Sequence, residues 1–267
     1  MPSEPDVRGP LAVFGGVYSN HLALEAAVAD ARRREARELY CLGDLGGFGP
    51  NPDKIFPLLL DAGVEVVRGN YDDSIARALG DCQCGYTDPR DNAFARISYD
   101  YSLTRTSPRW RAWMNELPSK IRVRAGGHRV LMCHGSPRRT NEFLWDSTSS
   151  TQFLDRLARA QDADVVMVTH TGLPWVRELP GGGLFVNVGV LGRPANDGGT
   201  AVRYALLTVD EGSPAVEVVS LTYDHEQLAH EMRAERLPEE FVETILTGWW
   251  TTCLEILPAK ERARGRF

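Results

Sequence analysis

Four polar residues lie at the ends of apolar runs that are far apart in the chain. Asp44 follows LYCLG, Asn70 follows VEVVRG, His134 follows RVLMC and His170 follows DVVMVT. A buried strand that ends on a carboxylate, an amide or an imidazole presents a metal-ligating group at its last position. Oxygen and nitrogen ligands of this kind suit Mn, Fe, Zn or Ni. The sequence therefore predicts one divalent transition metal per chain, held by these four residues.

Each of the four residues also has an ordinary structural explanation. Asp44 and Asn70 lie beside glycines, and Asp or Asn next to Gly is common in turns. A lone histidine at a strand end is more often hydrogen-bonded within the fold than bound to a metal. His134 and His170, however, occur in equivalent contexts, HGSP and HTGLP, each followed by a turn of small residues. The four residues taken together favour metal ligation.

Three strand-loop-helix units place the first two candidates. LAVFGG precedes the helical pattern NHLALEAAVADARRRE, LYCLGD precedes NPDKIFPLLLDAG, and VEVVRGN precedes DDSIARAL. Strands that alternate with helices predict a parallel sheet, and ligands gather beyond the carboxyl ends of such strands. We therefore expect the glycine-rich loops after these strands to border the site.

The remaining chain predicts a helical insertion, a second sheet and C-terminal helices. Residues 80–118 contain two helical patterns, AFARISYDYSLTR and PRWRAWMNEL, and IRVRAGGHRVLMC then predicts a hairpin that starts the second sheet. Residues 223–267 predict two helices, HEQLAHEMRAE and PEEFVETILTGWWTTCLEIL. We expect one α/β domain over residues 1–267, with helices outside two sheets.

The tryptophans and cysteines have structural interpretations. Trp110 and Trp113 lie three residues apart on a predicted helix, which favours core packing. Cys82 and Cys84 lack a second cysteine pair nearby, so neither a zinc site nor a redox motif is favoured, and the five cysteines indicate no disulfide framework. The WWTTCLEIL segment is compatible with an oligomer contact or with packing on the second sheet.

The loop motifs resemble those of a known family. The blocks are Gly16-Val17-Tyr18, Gly43-Asp44, Gly69-Asn70-Tyr71-Asp72, Cys133-His134-Gly135 and Thr169-His170-Thr171-Gly172. They are similar to the calcineurin-like metallophosphoesterases, in particular the YfcE-like and diadenosine-tetraphosphatase-like branch, from about residue 11 to residue 210. That family has Asp-x-His, Gly-Asp, Gly-Asn-His-Asp, a strand-end His and Gly-His-x-His, with two metals sharing the second Asp. The resemblance implies a four-layer αββα sandwich of two mixed sheets.

The resemblance also implies that half of a two-metal centre remains. The family's second metal would be held by the four residues identified above, whereas its first would use Asp44 and positions 16, 18 and 172, which are Gly16, Tyr18 and Gly172 here. The family's general acid corresponds to Tyr71, and its orienting partner to Asp72. Tyr71 and Asp72 are therefore the catalytic candidates, although a phenol is a poorer acid than an imidazole.

Five further residues are candidates for contacting substrate. They are Tyr18, Asn20, Arg138, Arg139 and Arg193. The arginines follow His134 and the strand end at Asn187, where guanidinium groups suit bidentate contacts to phosphate, although a solvated turn explains them too. Tyr18 either fills the volume of the absent metal or contacts phosphate through its hydroxyl. Asn20 also suits a helix cap, and His21 is either a replacement ligand or a solvent-exposed helix start.

Composition limits the classes of partner. The net charge of −6 argues against a surface that coats nucleic acid, which requires a clustered basic excess. The N-terminus lacks a basic start and an apolar segment, and no stretch approaches eighteen apolar residues, so we expect a cytoplasmic protein without a membrane span. A small anionic, phosphorylated ligand and a homo-oligomer are compatible with these features.

Two functions follow from the incomplete metal centre. The first is a phosphatase or phosphodiesterase with one metal, or with a second metal bound weakly through other residues, or a non-phosphate reaction on the same scaffold. The metal would act as a Lewis acid on a phosphoryl oxygen and lower the pKa of bound water. The second is a catalytically impaired descendant that binds a nucleotide, a phosphorylated metabolite or a protein. The retained ligands favour the first function, and the replaced ligands favour the second.

Overall fold

The computed structural model describes residues 4–209 and 212–266. The strands are β1 Asp6–Val7, β2 Leu11–Phe14, β3 Glu38–Cys41, β4 Glu65–Val66, β5 Lys120–Ala125, β6 His128–Cys133, β7 Val165–Val168, β8 Trp175–Glu178, β9 Leu184–Asn187, β10 Val202–Val209 and β11 Pro214–Leu221. The helices are α1 His21–Arg33, α2 Ile55–Asp61, α3 Asn70–Arg77, α4 Pro89–Arg105, α5 Pro108–Asn115, α6 Thr151–Ala160, α7 His225–Ala234, α8 Glu239–Thr247 and α9 Ala259–Arg262. A single turn of 3-10 helix, Pro52–Lys54, precedes α2.

The strands form two mixed sheets. One sheet has the order β11-β10-β2-β3-β4, in which β2, β3 and β4 are parallel, and Phe14 pairs with Cys41. The other has the order β1-β5-β6-β7-β9-β8, in which β6, β7 and β9 are parallel, and Val168 pairs with Asn187. The carboxyl ends of the parallel strands therefore carry the loops that contain the candidate ligands.

Alternating side chains build the layers. Leu11 and Val13 of β2 pack against Met132 and Met167 of the other sheet, and this cluster is the core between the sheets. The opposite face of β2, represented by Phe14, packs under α1 and α2, while α6 covers the outer face of β6 and β7. This alternation follows from the two-residue period of a strand. The predicted αββα sandwich is confirmed.

Helix α4 supports the loop that follows Asp44. Asp88 caps α4 by accepting hydrogen bonds from the backbone N–H groups of residues 90 and 91. The hydroxyls of Ser102 and Ser98 accept hydrogen bonds from Gly47 N (3.0 Å) and Phe48 N (2.6 Å). Residues 80–118 thus form two helices beside the site. Trp110 stacks on Phe56 with ring centroids 4.7 Å apart, so the predicted core packing is confirmed.

Two expectations about local structure are wrong. Helix α8 ends at Thr247 because Gly248 adopts a left-handed conformation (φ +74), and residues 249–258 are not helical. Asn70 begins α3 instead of ending a strand. Trp250 is buried within the chain, where it packs with Trp145 and Leu257, and the oligomer contact of this segment stays a prediction.

A disulfide links Cys82 and Cys84, although the sequence indicated none. The left-handed conformation of Gln83 (φ 53) turns the chain between the two cysteines so that their sulfurs meet. A turn of this kind is not encoded by cysteine spacing alone. Cys41 and Cys133 are free, buried thiols, as predicted.

Candidate metal centre

Two loops that approach closely position Asp44. Glycine is required at 43 and 69, because a side-chain carbon on Gly43 would lie 2.3 Å from Gly69 N, and one on Gly69 would lie 2.4 Å from Asp44 Oδ1. The carboxylate of Asp72 accepts hydrogen bonds from Asp44 N (2.9 Å), Leu45 N (2.9 Å) and Gly69 N (2.7 Å). Asp72 therefore ties the two loops together through their backbones.

Asp44, His134 and His170 converge in one buried cluster. One potential ligand atom from each lies within 4.8 Å of the other two. His134 Nε2 is 3.2 Å from Asp44 Oδ2 and 3.1 Å from His170 Nδ1. His134 Nδ1 donates to the Leu42 carbonyl at 2.6 Å, since a carbonyl only accepts, and in the neutral ring the lone pair then lies on Nε2. This arrangement orients His134 as a ligand.

Asn70 adds an oxygen that has no partner. Its Nδ2 donates to the Cys82 carbonyl at 2.8 Å, which fixes the amide, and its buried Oδ1 has no hydrogen-bond partner among the described residues. His170 Nε2 is also buried without a partner. Buried polar atoms are rarely left unpaired in native proteins, so the unpaired Nε2 of His170, a member of the cluster, and the unpaired Oδ1 of Asn70, at the start of α3, fit a bound cation.

Electrostatics favour ligand-competent charge states at Asp44 and His170 but not at His134. Burial opposes ionisation of Asp44, but the adjacent His134 outweighs it and holds the pKa of Asp44 below its usual range. Burial together with the neighbouring His134 lowers the pKa of His170 to about 3, so His170 is neutral at physiological pH. A carboxylate and a neutral imidazole are the forms that bind a divalent metal. Burial lowers the pKa of His134, but the adjacent Asp44 carboxylate outweighs burial and raises it above its usual value, so a metal must displace the proton of His134 when it binds.

A cavity of about 50 Å³ opens beside the cluster. Asp44 and His170 line it together with Tyr18, Tyr71 and Arg193. About 10–15 Å³ of such space holds a water molecule, so the cavity admits a few waters or one group of phosphoryl size. The cluster is therefore accessible to a small ligand group.

Comparisons with known proteins identify the family. The sequence matches the calcineurin-like phosphoesterase superfamily domain over residues 11–212. The chain belongs to this superfamily. It is 25% identical over 258 residues to an uncharacterized protein of Methanocaldococcus jannaschii, a match that covers 91% of this chain and 99% of the relative.

Two solved structures have the same fold. A hypothetical protein of Pyrococcus horikoshii superposes with a TM-score of 0.75 at 22% identity, covering 92% of this chain and 100% of that one. A metallophosphoesterase of Sphaerobacter thermophilus gives a TM-score of 0.67 at 24% identity, covering 90% of this chain and 99% of that one. The predicted resemblance to calcineurin-like phosphoesterases is thus confirmed, and the retained cluster is a candidate metal site of this superfamily.

The positions expected to hold the superfamily's first metal are filled by other groups. A side-chain carbon on Gly16 would lie 2.6 Å from Tyr18 Cε1, and one on Gly172 would lie 2.8 Å from Trp250 Cη2. Tyr18 adopts a left-handed conformation (φ 51), and its ring lines the cavity. The glycines at 16 and 172 therefore make room for the aromatic rings of Tyr18 and Trp250.

Tyr71 and Asp72 are placed differently from the catalytic pair that we expected. The Tyr71 hydroxyl donates to Ser98 Oγ at 3.1 Å, and burial raises the pKa of Tyr71 well above its usual value. Asp72 contacts backbone N–H groups and not the Tyr71 hydroxyl, so it supports the Asp44 loop instead of orienting an acid. Burial raises the pKa of Asp72 to about 6, and the negative charge of Asp44 makes a smaller contribution in the same direction.

The other substrate-binding candidates separate into three groups. Asn20 is a structural residue, because its Oδ1 accepts from Ala23 N and caps α1 while its Nδ2 donates to the Gly192 carbonyl. Arg138 is exposed and paired with Glu142, and Arg139 lines a separate groove beside Asn70. Arg193 is buried in the cavity. Of the three arginines, Arg193 alone shares the cavity with the cluster.

Sequence reasoning missed several residues around the cavity. Trp250 and Thr252 belong to the segment predicted as helix, and Cys84 belongs to the disulfide. His21, considered as a replacement ligand, instead lies 3.6 Å from Glu231, away from the cluster. The paired tryptophans were a visible signal, but nothing in their spacing connected them to Gly172.

Every helix in the described part of the chain is too short or too polar to span a membrane.

Proposed function

We propose that this protein is a metal-dependent hydrolase of the phosphoesterase type that uses one divalent transition metal per chain. The proposal is carried by the convergence of Asp44, His134 and His170. Asn70, whose Oδ1 is buried without a partner among the described residues, is the fourth ligand in the proposal. Its substrate is a small phosphorylated metabolite or nucleotide. Together these residues offer two oxygen and two nitrogen ligands, a set that suits Mn, Fe, Zn or Ni.

The residues around the ligands prepare the site for binding. Leu42 fixes the ring of His134, and Asp72 fixes the backbone of Asp44. Contacts of this kind orient ligands and tune the affinity for the metal. When bound, the metal supplies Lewis acidity to a phosphoryl oxygen and a lowered pKa to a water. Arg193 supplies positive charge to the same cavity.

Tyr71 is the remaining candidate for proton transfer. Its ring lines the cavity, but its proton is donated to Ser98 Oγ, and its raised pKa keeps the hydroxyl protonated at neutral pH. Tyr71 therefore holds a proton near the leaving group without giving it up readily. We expect turnover to be slow unless the leaving group departs easily.

The test combines metal content with hydrolysis of p-nitrophenyl phosphate and bis-p-nitrophenyl phosphate. Wild-type protein supplemented with Mn or Fe should hold about one metal per chain and hydrolyse at least one of these esters, while His134→Ala should lose both properties. His230→Ala is the matched control, because His230 is exposed on α7, outside the cluster. Wild-type protein that holds less than one equivalent and shows no His134-dependent turnover would contradict the proposal.

A ligand-binding protein without turnover is the second candidate. It is favoured by the hydrogen bond that the Tyr71 hydroxyl donates to Ser98. Tyr71 stands at the position of the superfamily's general acid, and its proton is already shared with another group. In that case one metal per chain remains and neither ester is hydrolysed. His134-dependent turnover of either ester would exclude this candidate.

Two further properties belong to the proposal. A cytoplasmic location is consistent with the lack of a membrane-spanning helix among the described residues. The candidate ligands Asp44, His134 and His170 all belong to one chain, so the proposed site does not require a homo-oligomer.

A further inference from the structure

Arg193 is a buried cation that forms no ion pair with any described residue. The residue is 6% exposed, and no described carboxylate or carbonyl accepts a hydrogen bond from its side chain. Its Nε is fully buried and unpaired. A guanidinium group stays charged at physiological pH, and burying it without a partner is costly. An anionic ligand would remove that cost.

Aromatic rings hold Arg193 in place. Its guanidinium carbon lies 3.6 Å from the centroid of the Trp250 ring and 5.8–5.9 Å from those of Phe48 and Tyr18. Trp250 is itself fixed, since its indole N–H donates to the Pro194 carbonyl at 2.7 Å and its backbone N–H donates to Asn196 Oδ1 at 2.8 Å. Stacking leaves the N–H groups at the edge of the guanidinium available to a ligand.

A second unpaired donor lines the same cavity. Thr252 is 1% exposed, and its hydroxyl has no hydrogen-bond partner among the described residues. Thr252, Arg193 and the metal-ligand candidates Asp44 and His170 all border the cavity of about 50 Å³. Two buried donors in one small space form a receptor for an anion of phosphoryl size.

Arg193 lies beside Gly172, one of the positions that the superfamily pattern assigns to the first metal. A side-chain carbon on Gly172 would lie 3.3 Å from Arg193 Nη2 as well as 2.8 Å from Trp250 Cη2. The guanidinium thus occupies the neighbourhood of a position where the superfamily pattern has a metal-ligating histidine. A fixed positive charge lies where the ligand for a second metal is absent.

We propose that Arg193, stacked on Trp250 and assisted by Thr252, binds the terminal phosphoryl group of a phosphomonoester and replaces the positive charge of the first metal. The inference deepens the proposed function and rests on it for the identity of the neighbouring metal. A monoester fits better than a diester for two reasons. The cavity admits little more than one phosphoryl group, and a dianion pairs with both Arg193 and the adjacent metal site.

The experiment measures binding of inorganic phosphate by calorimetry to the metal-supplemented protein, with metal content determined in the same samples. Arg193→Met keeps an unbranched apolar side chain against Trp250 but removes the charge, and should weaken phosphate binding about 10- to 100-fold, the range for a lost charge-assisted hydrogen bond. Thr252→Val should weaken it several-fold. Arg266→Met is the matched control, because Arg266 is exposed and lies over Trp249 at 5.2 Å; its affinity should equal that of the wild type.

The outcomes separate this inference from the proposed function. Unchanged affinity for phosphate in folded Arg193→Met overturns the inference. Wild-type protein that binds no phosphate at millimolar concentration also overturns it. If Arg193→Met does not fold, Thr252→Val and Arg193→Lys decide, and unchanged affinity in both overturns it. Phenyl phosphate should displace inorganic phosphate and diphenyl phosphate should not; the reverse order refutes the monoester assignment. Phosphate binding that depends on Arg193, in protein that holds less than one equivalent of metal after supplementation and shows no His134-dependent turnover, supports the receptor while refuting the proposed metal-dependent function.

Discussion

Replacement of Gly172 by alanine tests whether the ring of Trp250 fills the space beside residue 172. Gly172 has φ +82, and an added carbon would lie 2.8 Å from Cη2 and 3.0 Å from Cζ2 of the Trp250 ring. The left-handed conformation costs alanine about 1–2 kcal/mol. Because hydrogen bonds fix Trp250 at its indole and its backbone, the steric conflict adds about 1–3 kcal/mol. Gly172→Ala should therefore lower the free energy of unfolding by about 2–5 kcal/mol.

Gly182 provides a control for the backbone contribution. It has φ +87, and an added carbon would meet nothing within 4 Å, so Gly182→Ala should cost only the conformational part, about 1–2 kcal/mol. Thermal unfolding of the two variants measures the difference, which corresponds to roughly 2–4 °C in Tm for each kcal/mol. In a Trp250→Ala background the extra loss at residue 172 should disappear. Equal losses in Gly172→Ala and Gly182→Ala would refute the packing argument.

Three further predictions concern the loops, an ion pair and the cysteines. Asp72→Asn should reduce metal affinity about 10- to 100-fold in a metal titration, because an amide cannot accept all three backbone hydrogen bonds, while Asp73→Asn next to it should bind metal as the wild type does. Hydrogen bonds from Arg129 lower the pKa of Asp164 to about 2 from its ordinary value of 3.8, so its stabilisation is complete above pH 3.8 and is lost as the pH falls through 2. The Arg129–Asp164 pair is about one-third exposed, so Asp164→Asn should lower the free energy of unfolding by only about 1 kcal/mol at pH 7 and should not change it below pH 2. Denaturant unfolding at both pH values checks this prediction, and an equal loss at both would count against it. Alkylation of unfolded protein should modify three cysteines without reductant and five with it, whereas five in both conditions would disprove the Cys82–Cys84 disulfide.

The sequence predicted the sandwich and the loops that carry Asp44, His134 and His170 because strand ends depend on local patterns. The apolar runs before these residues form strands. Asp44 follows a strand of one sheet and the two histidines follow strands of the other, and the loops of both sheets meet at the same end of the sandwich. Residue type then supplied the chemistry. The details of each ligand's support were not predictable, because the partners of Asn70, such as the Cys82 carbonyl, depend on loop conformation.

The roles of Asp72 and Trp250 could not be read from the sequence. The sequence GNYDD is the same whether the Asp72 carboxylate orients a general acid or accepts hydrogen bonds from backbone N–H groups. Only the close approach of the Gly43 and Gly69 loops selects the second role. The contact between Trp250 and Arg193 joins residues 57 positions apart in the chain, and it exists because Gly248 ends α8 and turns the chain inward. Long-range packing, not helical periodicity, decided this part of the site.

Crystals of the wild-type protein grown with Mn²⁺ and measured at the manganese absorption edge show how many metal ions each chain holds and where. We expect one anomalous peak, bounded by Asp44, Asn70, His134 and His170, and none beside Gly16 and Gly172. Two peaks about 3.5–4 Å apart, as in a two-metal site, or no peak at the four residues, would refute the proposed site.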